Sequence, residues 1–173
     1  MKKQVLVSAL VGLTCTLLSC SALADWATKV EDDAFSDGQT AMMFGAETEL
    51  NGVAFDCTKT ELTLSYVEQA DTKKITEGIP VDMVFKVDGN NSIKLKGRTT
   101  VRNNNYFGIT SDDAEELKNL LAQLQKSKQR ILVGIKFPFN DQKMSFTLSA
   151  SGSTSAVNKF VKACSINISA DKK

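Results

Sequence analysis

The sequence runs to 173 residues, 42% of them hydrophobic, with 21 Lys plus Arg against 20 Asp plus Glu. A chain this near neutrality has no electrostatic footing for nucleic acid or an anionic membrane as its main partner. It also contains no histidine, which removes Ser-His-Asp and Cys-His nucleophilic arrangements and the usual zinc sites and leaves an enzyme only Asp, Glu, Lys or Tyr chemistry.

Lys2 and Lys3 precede an apolar run from Val5 to Leu18, and Ser21-Ala22-Leu23-Ala24 follows just before Asp25-Trp26. A short positive region, an apolar stretch and an Ala-x-Ala site predict a bacterial-type secretory signal peptide over residues 1–24, cut after Ala24. The run is short for a membrane span, and no later segment reaches the roughly 20 apolar residues that a spanning helix needs. The expected product is one periplasmic domain over residues 25–173. A second reading stays open, because Leu17-Leu18-Ser19-Cys20 resembles a lipobox that would lipidate Cys20 and anchor the protein.

Along the mature chain, Trp26 is expected to anchor a first strand. Asp37-Gly38, Asn51-Gly52 and Asp88-Gly89-Asn90-Asn91 read as hairpin turns, since Asn, Asp and Gly best tolerate the positive φ of type I′ turns. Apolar residues alternate at Leu62, Leu64 and Tyr66, at Val81, Met83, Phe85 and Val87, and at Ile93 and Leu95 against Lys94, Lys96 and Arg98. Period two predicts strands with one buried and one wet face. The pattern resumes from Ile131 to Phe139 and at Met144, Phe146 and Leu148, and Ile166 and Ile168 suggest a short last strand.

Two segments carry helical spacing instead. Leu117, Leu120, Leu121 and Leu124 form a stripe behind Asp112-Asp113 and Glu115-Glu116, predicting a helix over about 112–126. Val157, Phe160, Val161 and Cys164 form the stripe of a second, over about 154–164. The expected fold is a β-rich α+β domain of about eight strands, an antiparallel β-sandwich or barrel-like sheet with two helices over one side or end. Asp71 to Gly78 and the tail Ala170 to Lys173 read as loose.

Cys15 and Cys20 leave with the leader, so the mature chain keeps Cys57 and Cys164. In an oxidising compartment the simplest outcome is one disulfide, the alternative being two separately buried thiols. A Cys57 nucleophile would require the free thiol. The acids from Asp112 to Glu116 suit a helix start better than a cation site, and glycine-rich phosphate loops are absent. No catalytic residue, metal site or cofactor is expected. Two features are candidates for partner binding: the cationic stripe Lys94, Lys96, Arg98 and Arg102, and Tyr106 in the loop Asn103-Asn104-Asn105-Tyr106-Phe107-Gly108. Each has an ordinary counterpart, a solvated strand face for the lysines and core packing for Phe107.

The leader, Trp26 at the mature start, Phe55-x-Cys57 leading into Leu62-x-Leu64, Phe146-x-Leu148, a Ser-rich turn, a helix and Cys164 together resemble small exported bacterial proteins of the invasion-associated locus B type and related secretion-system accessory proteins. That resemblance implies a non-enzymatic, disulfide-bonded periplasmic β-sandwich and carries over no functional residue. The expected function is an envelope protein acting by protein–protein contact, in its more specific form an inhibitor or immunity protein of an envelope-active enzyme. A small-molecule or lipid carrier is the alternative, since nine phenylalanines in a β-rich domain could enclose an apolar pocket.

Overall fold

The computed structural model describes residues 25–34 and 37–168. The leader with its cleavage site, Cys20 and the tail from Ala170 lie outside the described residues. In chain order the elements are β1 (Trp26–Asp32), β2 (Gln39–Ala46), β3 (Asn51–Cys57), β4 (Leu62–Gln69), β5 (Pro80–Val87), β6 (Ile93–Asn103), β7 (Tyr106–Ser111), α1 (Ala114–Lys126), β8 (Arg130–Phe137), β9 (Gln142–Ser149) and α2 (Ser153–Ala163). The strands make one antiparallel sheet in the order β1-β2-β3-β4-β7-β6-β5-β8-β9, curled into a half-barrel. The fold is therefore the β-rich α+β class, in its barrel-like form.

Period-two alternation sends Met43, Phe55, Leu64, Tyr66, Met83, Phe85, Leu95, Val133 and Leu148 to one face, where all are buried. The helices cover that face. Helix α1 lies on β4, β5 and β6, α2 lies on β1 and β2, and the two pack together. Asp113 caps α1 by accepting from the Glu116 N–H at 3.2 Å, which accounts for the acids at its start. All four leucines of the α1 stripe are buried, and Val157 and Phe160 anchor α2, with Phe160 edge-on to Phe55 at 6.1 Å between ring centroids.

Trp26 joins the two ends of the sheet. Its backbone N–H donates to the Ser151 carbonyl at 3.2 Å, and its indole Nε1–H donates to the Ser149 carbonyl at 2.7 Å. The ring lies over Gly45, where a Cβ would stand 2.6 Å from it. Cys57, ending β3, is bonded to Cys164 at the C-terminal cap of α2, closing 107 residues with 6.2 Å between Cα atoms.

Several expectations are corrected. Asn51-Gly52 opens β3, and the turn lies over residues 47–50, with the Glu47 and Thr48 N–H groups donating to the Asn51 carbonyl. Gly52 is needed because a Cβ there would collide with the Gly45 carbonyl oxygen. Tyr106 to Ser111 is a ninth strand rather than a loop and cap, and Ile166 and Ile168 sit partly buried outside any strand. Asp71 to Gly78 is fastened along β6: Thr99 donates its hydroxyl to the Thr76 carbonyl, Gly78 N–H donates to Thr99, and the Val101 N–H donates to Glu77.

The Asp88-Gly89 turn stands as expected, with φ of 48° and 83° and the Asn90 N–H closing on Val87 at 2.8 Å. Its carboxylate does more than turn the chain. Asp88 accepts from the backbone N–H groups of Lys128, Gln129 and Arg130 at 2.7, 3.0 and 2.9 Å, tying the β5–β6 hairpin to the α1–β8 connection. Slight desolvation opposes the charge, but these donors outweigh it and hold the carboxyl below its ordinary range.

Two outcomes follow. Reducing the disulfide, which closes a loop of 107 residues, is expected to lower unfolding free energy by about 5 kcal/mol from loop-closure entropy, read from urea unfolding with and without reductant. A depressed folded-state pKa stabilises above the unfolded carboxylate value of about 3.9, and that stabilisation is lost as pH falls through the folded value. Asp88→Asn, which keeps the turn conformation, is thus expected to cost about 1 kcal/mol at neutral pH. The gap to the parent protein should close in melts taken at progressively lower pH through the acid range.

Candidate functional site

The same alternation that fills the helix-covered face leaves a second face with no helix of the described residues on it. Residues 94, 96 and 98 of β6 project there, exposed and in a row. Lys96 pairs with Asp82, its cross-strand neighbour on β5, at 2.6 Å, and Arg98 donates to the Gly78 carbonyl at 3.1 Å. With Pro80, Asp82, Thr100, Thr110 and Asp112 these two line a hollow of about 630 Å³. The cationic stripe is thus partly neutralised by its own neighbours.

Arg102 behaves differently. It reaches Asp56 of β3 with both terminal nitrogens, each 2.8 Å from a carboxylate oxygen, and Nη2 also lies 3.5 Å from the Met42 sulfur. Strands β4 and β7 stand between β3 and β6 in the sheet, so the tip of the β6–β7 hairpin lies over the helix-free face. A register shift between Val101 and Asn103 accompanies that tip. Beneath it, Ala54 and Val67 are buried although they point away from the helices.

The result is a groove of about 280 Å³ lined by Met42, Phe44, Leu50, Ala54, Val67 and Tyr106, with Glu49, Arg102 and Asn103 supplying polar atoms. Leu50 is 56% and Met42 39% exposed. Beyond Met42 and Asp56 the surface continues into a more polar hollow with Lys29, Glu31, Thr40 and Glu61. Of the five residues picked from sequence, Arg102 and Tyr106 meet at this groove, while Lys94, Lys96 and Arg98 lie farther along the same face. Sequence reasoning missed Met42, Phe44, Leu50 and Asp56. The run Ala41-Met42-Met43-Phe44 held the available signal, since apolar residues at successive positions cannot all face one core.

On the covered side, Tyr66 donates to Glu68 at 2.8 Å. Burial, reinforced by Glu68, raises its phenol well above the ordinary range, so it stays protonated at neutral pH. Glu115 pairs with Lys118 at 3.1 Å beside the Asp113 cap. Among the described residues no group of three or more His, Cys, Asp or Glu is placed to hold a metal ion, and no helix is long and apolar enough to cross a membrane.

No family model matches the sequence, and no curated protein does. Among solved structures, the chain is similar to invasion associated protein B from Bartonella henselae, at 15% identity and a TM-score of 0.46, over 80% of this chain and 92% of that one. Superposition at that level transfers no residue role, and the resemblance read from Trp26, Cys57 and Cys164 stays a resemblance.

The Arg102–Asp56 pair is partly exposed, so its net worth is expected to be modest. A double-mutant cycle of Arg102→Ala and Asp56→Ala, read by urea unfolding, should return a coupling of roughly 0.5 to 1 kcal/mol. Strictly additive single effects would mean that the hairpin tip is held down by other contacts.

Proposed function

We propose that this chain is an exported, non-enzymatic accessory protein of the bacterial envelope that acts by protein–protein contact, with the groove beneath Arg102 and Tyr106 as the centre of its docking face. One observation carries the reading. Exposed Leu50 and Met42 flank an apolar groove on a face that no described helix covers, framed by a bidentate Arg–Asp pair and an aromatic. Methionine, tyrosine and arginine are the residue types enriched at interface centres, where a small apolar pocket takes a partner's anchor. The neutral charge balance and the missing histidines are in keeping with contact rather than turnover. In its more specific form the partner is an envelope-active enzyme, such as a cell-wall hydrolase, and the chain is its inhibitor or immunity protein.

The carrier reading needs an empty interior. Phe55, Tyr66, Phe85 and Phe160, each under 2% exposed, occupy the middle of the half-barrel, which weighs against it.

Crosslinking capture in the cells that make the protein tests the proposal. Leu50→Lys and Tyr106→Ala, at exposed and half-buried positions, are expected to keep the parent's unfolding midpoint and to cut recovery of the crosslinked partner by about tenfold, the loss typical of one interface anchor. Undiminished capture by both variants would remove the groove from the interface. A deletion strain no more sensitive to cell-wall hydrolases than its parent would exclude the inhibitor form.

A further inference from the structure

The sheet has two edges, and the fold treats them differently. On β1 the first outward-facing backbone groups are engaged: the Trp26 N–H goes to Ser151 and the Thr28 carbonyl accepts from Lys159 Nζ at 2.9 Å, while the Thr28 hydroxyl donates to the Ala156 carbonyl at 2.8 Å. Helix α2 therefore lies along the start of that edge. Among the described residues, the strand at the opposite edge, β9, pairs only with β8.

Which groups β9 leaves free follows from its neighbours. The Ala150 N–H donates to Gln129, on the β8 side, while the Ser149 carbonyl accepts from Trp26, on the other side. In an antiparallel ladder both backbone groups of a residue point the same way and alternate along the strand. Positions 148, 146 and 144 therefore bond β8, and Lys143, Ser145 and Thr147 turn their N–H and C=O groups outward. All three are exposed. An open edge of this kind is a template for another strand.

We propose that the free edge of β9 is a self-docking surface, on which a second copy of this chain adds its own β9 antiparallel, centred on Ser145. Ser145 then faces Ser145 of the second copy, and Lys143 faces Thr147 on either side of the two-fold axis. All the outward N–H and C=O groups of these three residues are paired. On the other face of the strands Met144, 37% exposed, takes the position across from Phe146, whose ring is buried against Tyr66, at the closer, non-hydrogen-bonded spacing.

Charge and the Trp26 tether disfavour the two neighbouring registers centred on an outward-facing residue. Centring the pair on Lys143 would set two ammonium groups directly opposite each other, which is unfavourable. Centring it on Thr147 would require the outward carbonyls of Ser149 and Ser151, and Trp26 already holds both. About Ser145 the two copies of Lys143 stand four residues apart along the strands, roughly 13 Å, beyond a Debye length at ordinary salt. The outward row Lys143, Ser145 and Thr147 is complementary to itself about Ser145, as a two-fold contact between identical patches requires.

Sedimentation equilibrium of the disulfide-intact protein, up to millimolar concentration, reads the association. A monomer–dimer equilibrium is expected, with amide exchange at residues 143, 145 and 147 slowing as concentration rises. Ser145→Lys should weaken the dimer about fivefold or more, since it opposes like charges at the axis. Ser145→Asp should do the same. Mixing the two variants should restore the parent affinity in a heterodimer, which a variant that merely misfolds cannot do. A parent protein monomeric throughout the range would overturn the proposal, as would a dimer that both variants leave intact. Slowed exchange along β9 on adding an unrelated extended peptide, with no self-association, would assign the edge to a foreign strand and likewise overturn it.

Discussion

Helix α2 is held at three points, and the half-barrel depends on that fastening. Its start is fixed where Trp26 hydrogen-bonds the Ser149 and Ser151 carbonyls just ahead of it, immediately before Gly152 turns the chain with φ 83°. Its middle is bonded to β1 through Thr28 with Ala156 and Lys159, and its end is bonded covalently to β3 through Cys57–Cys164. A curled sheet of nine strands would otherwise present its apolar face through the gap between β1 and β9. With α2 laid back on β1 and β2, that face becomes a closed core containing Phe55 and Phe160. The contacts involved join residues more than 100 positions apart, so they constrain the whole chain rather than one hairpin.

Filling one face so completely has a consequence for the other. Once both helices serve the core, nothing in the described chain remains to cover the opposite face, and the sheet protects part of it by bending the β6–β7 tip over Ala54 and Val67. The Arg102–Asp56 pair holds that tip. What stays open is a groove with exposed leucine and methionine at its rim, and a strand edge at β9 with three residues of unspent backbone. The cysteines are joined, the buried tyrosine is held protonated, and the acidic cluster caps a helix.

The parts of this fold that were legible in sequence are those with a strong local period. The leucine stripe of α1, the alternation of β5 and β8, and the Asp88-Gly89 turn each carry their structure in a few adjacent residues. The failures have physical reasons. Asn51-Gly52 resembles a turn because glycine serves two needs, positive φ and close backbone approach, and here the approach to Gly45 is the operative one. Strand β7 follows three asparagines and runs straight into helix-capping residues, so its six residues read as a loop. Ile166 and Ile168 have strand spacing but no neighbouring strand to pair with. Of the candidate site, Arg102 and Tyr106 were visible as residue types, but Asp56 is 46 positions from Arg102, and only the sheet order brings them together.

Intact native mass spectrometry of unreduced protein, isolated from its own envelope fraction, tests most directly whether this is an exported chain that works by contact with another protein. The expected species begins at Asp25, is two hydrogens lighter than the dithiol form, and carries a protein partner. A chain that retains its leader, or that travels with a small apolar ligand and no protein, would contradict that view.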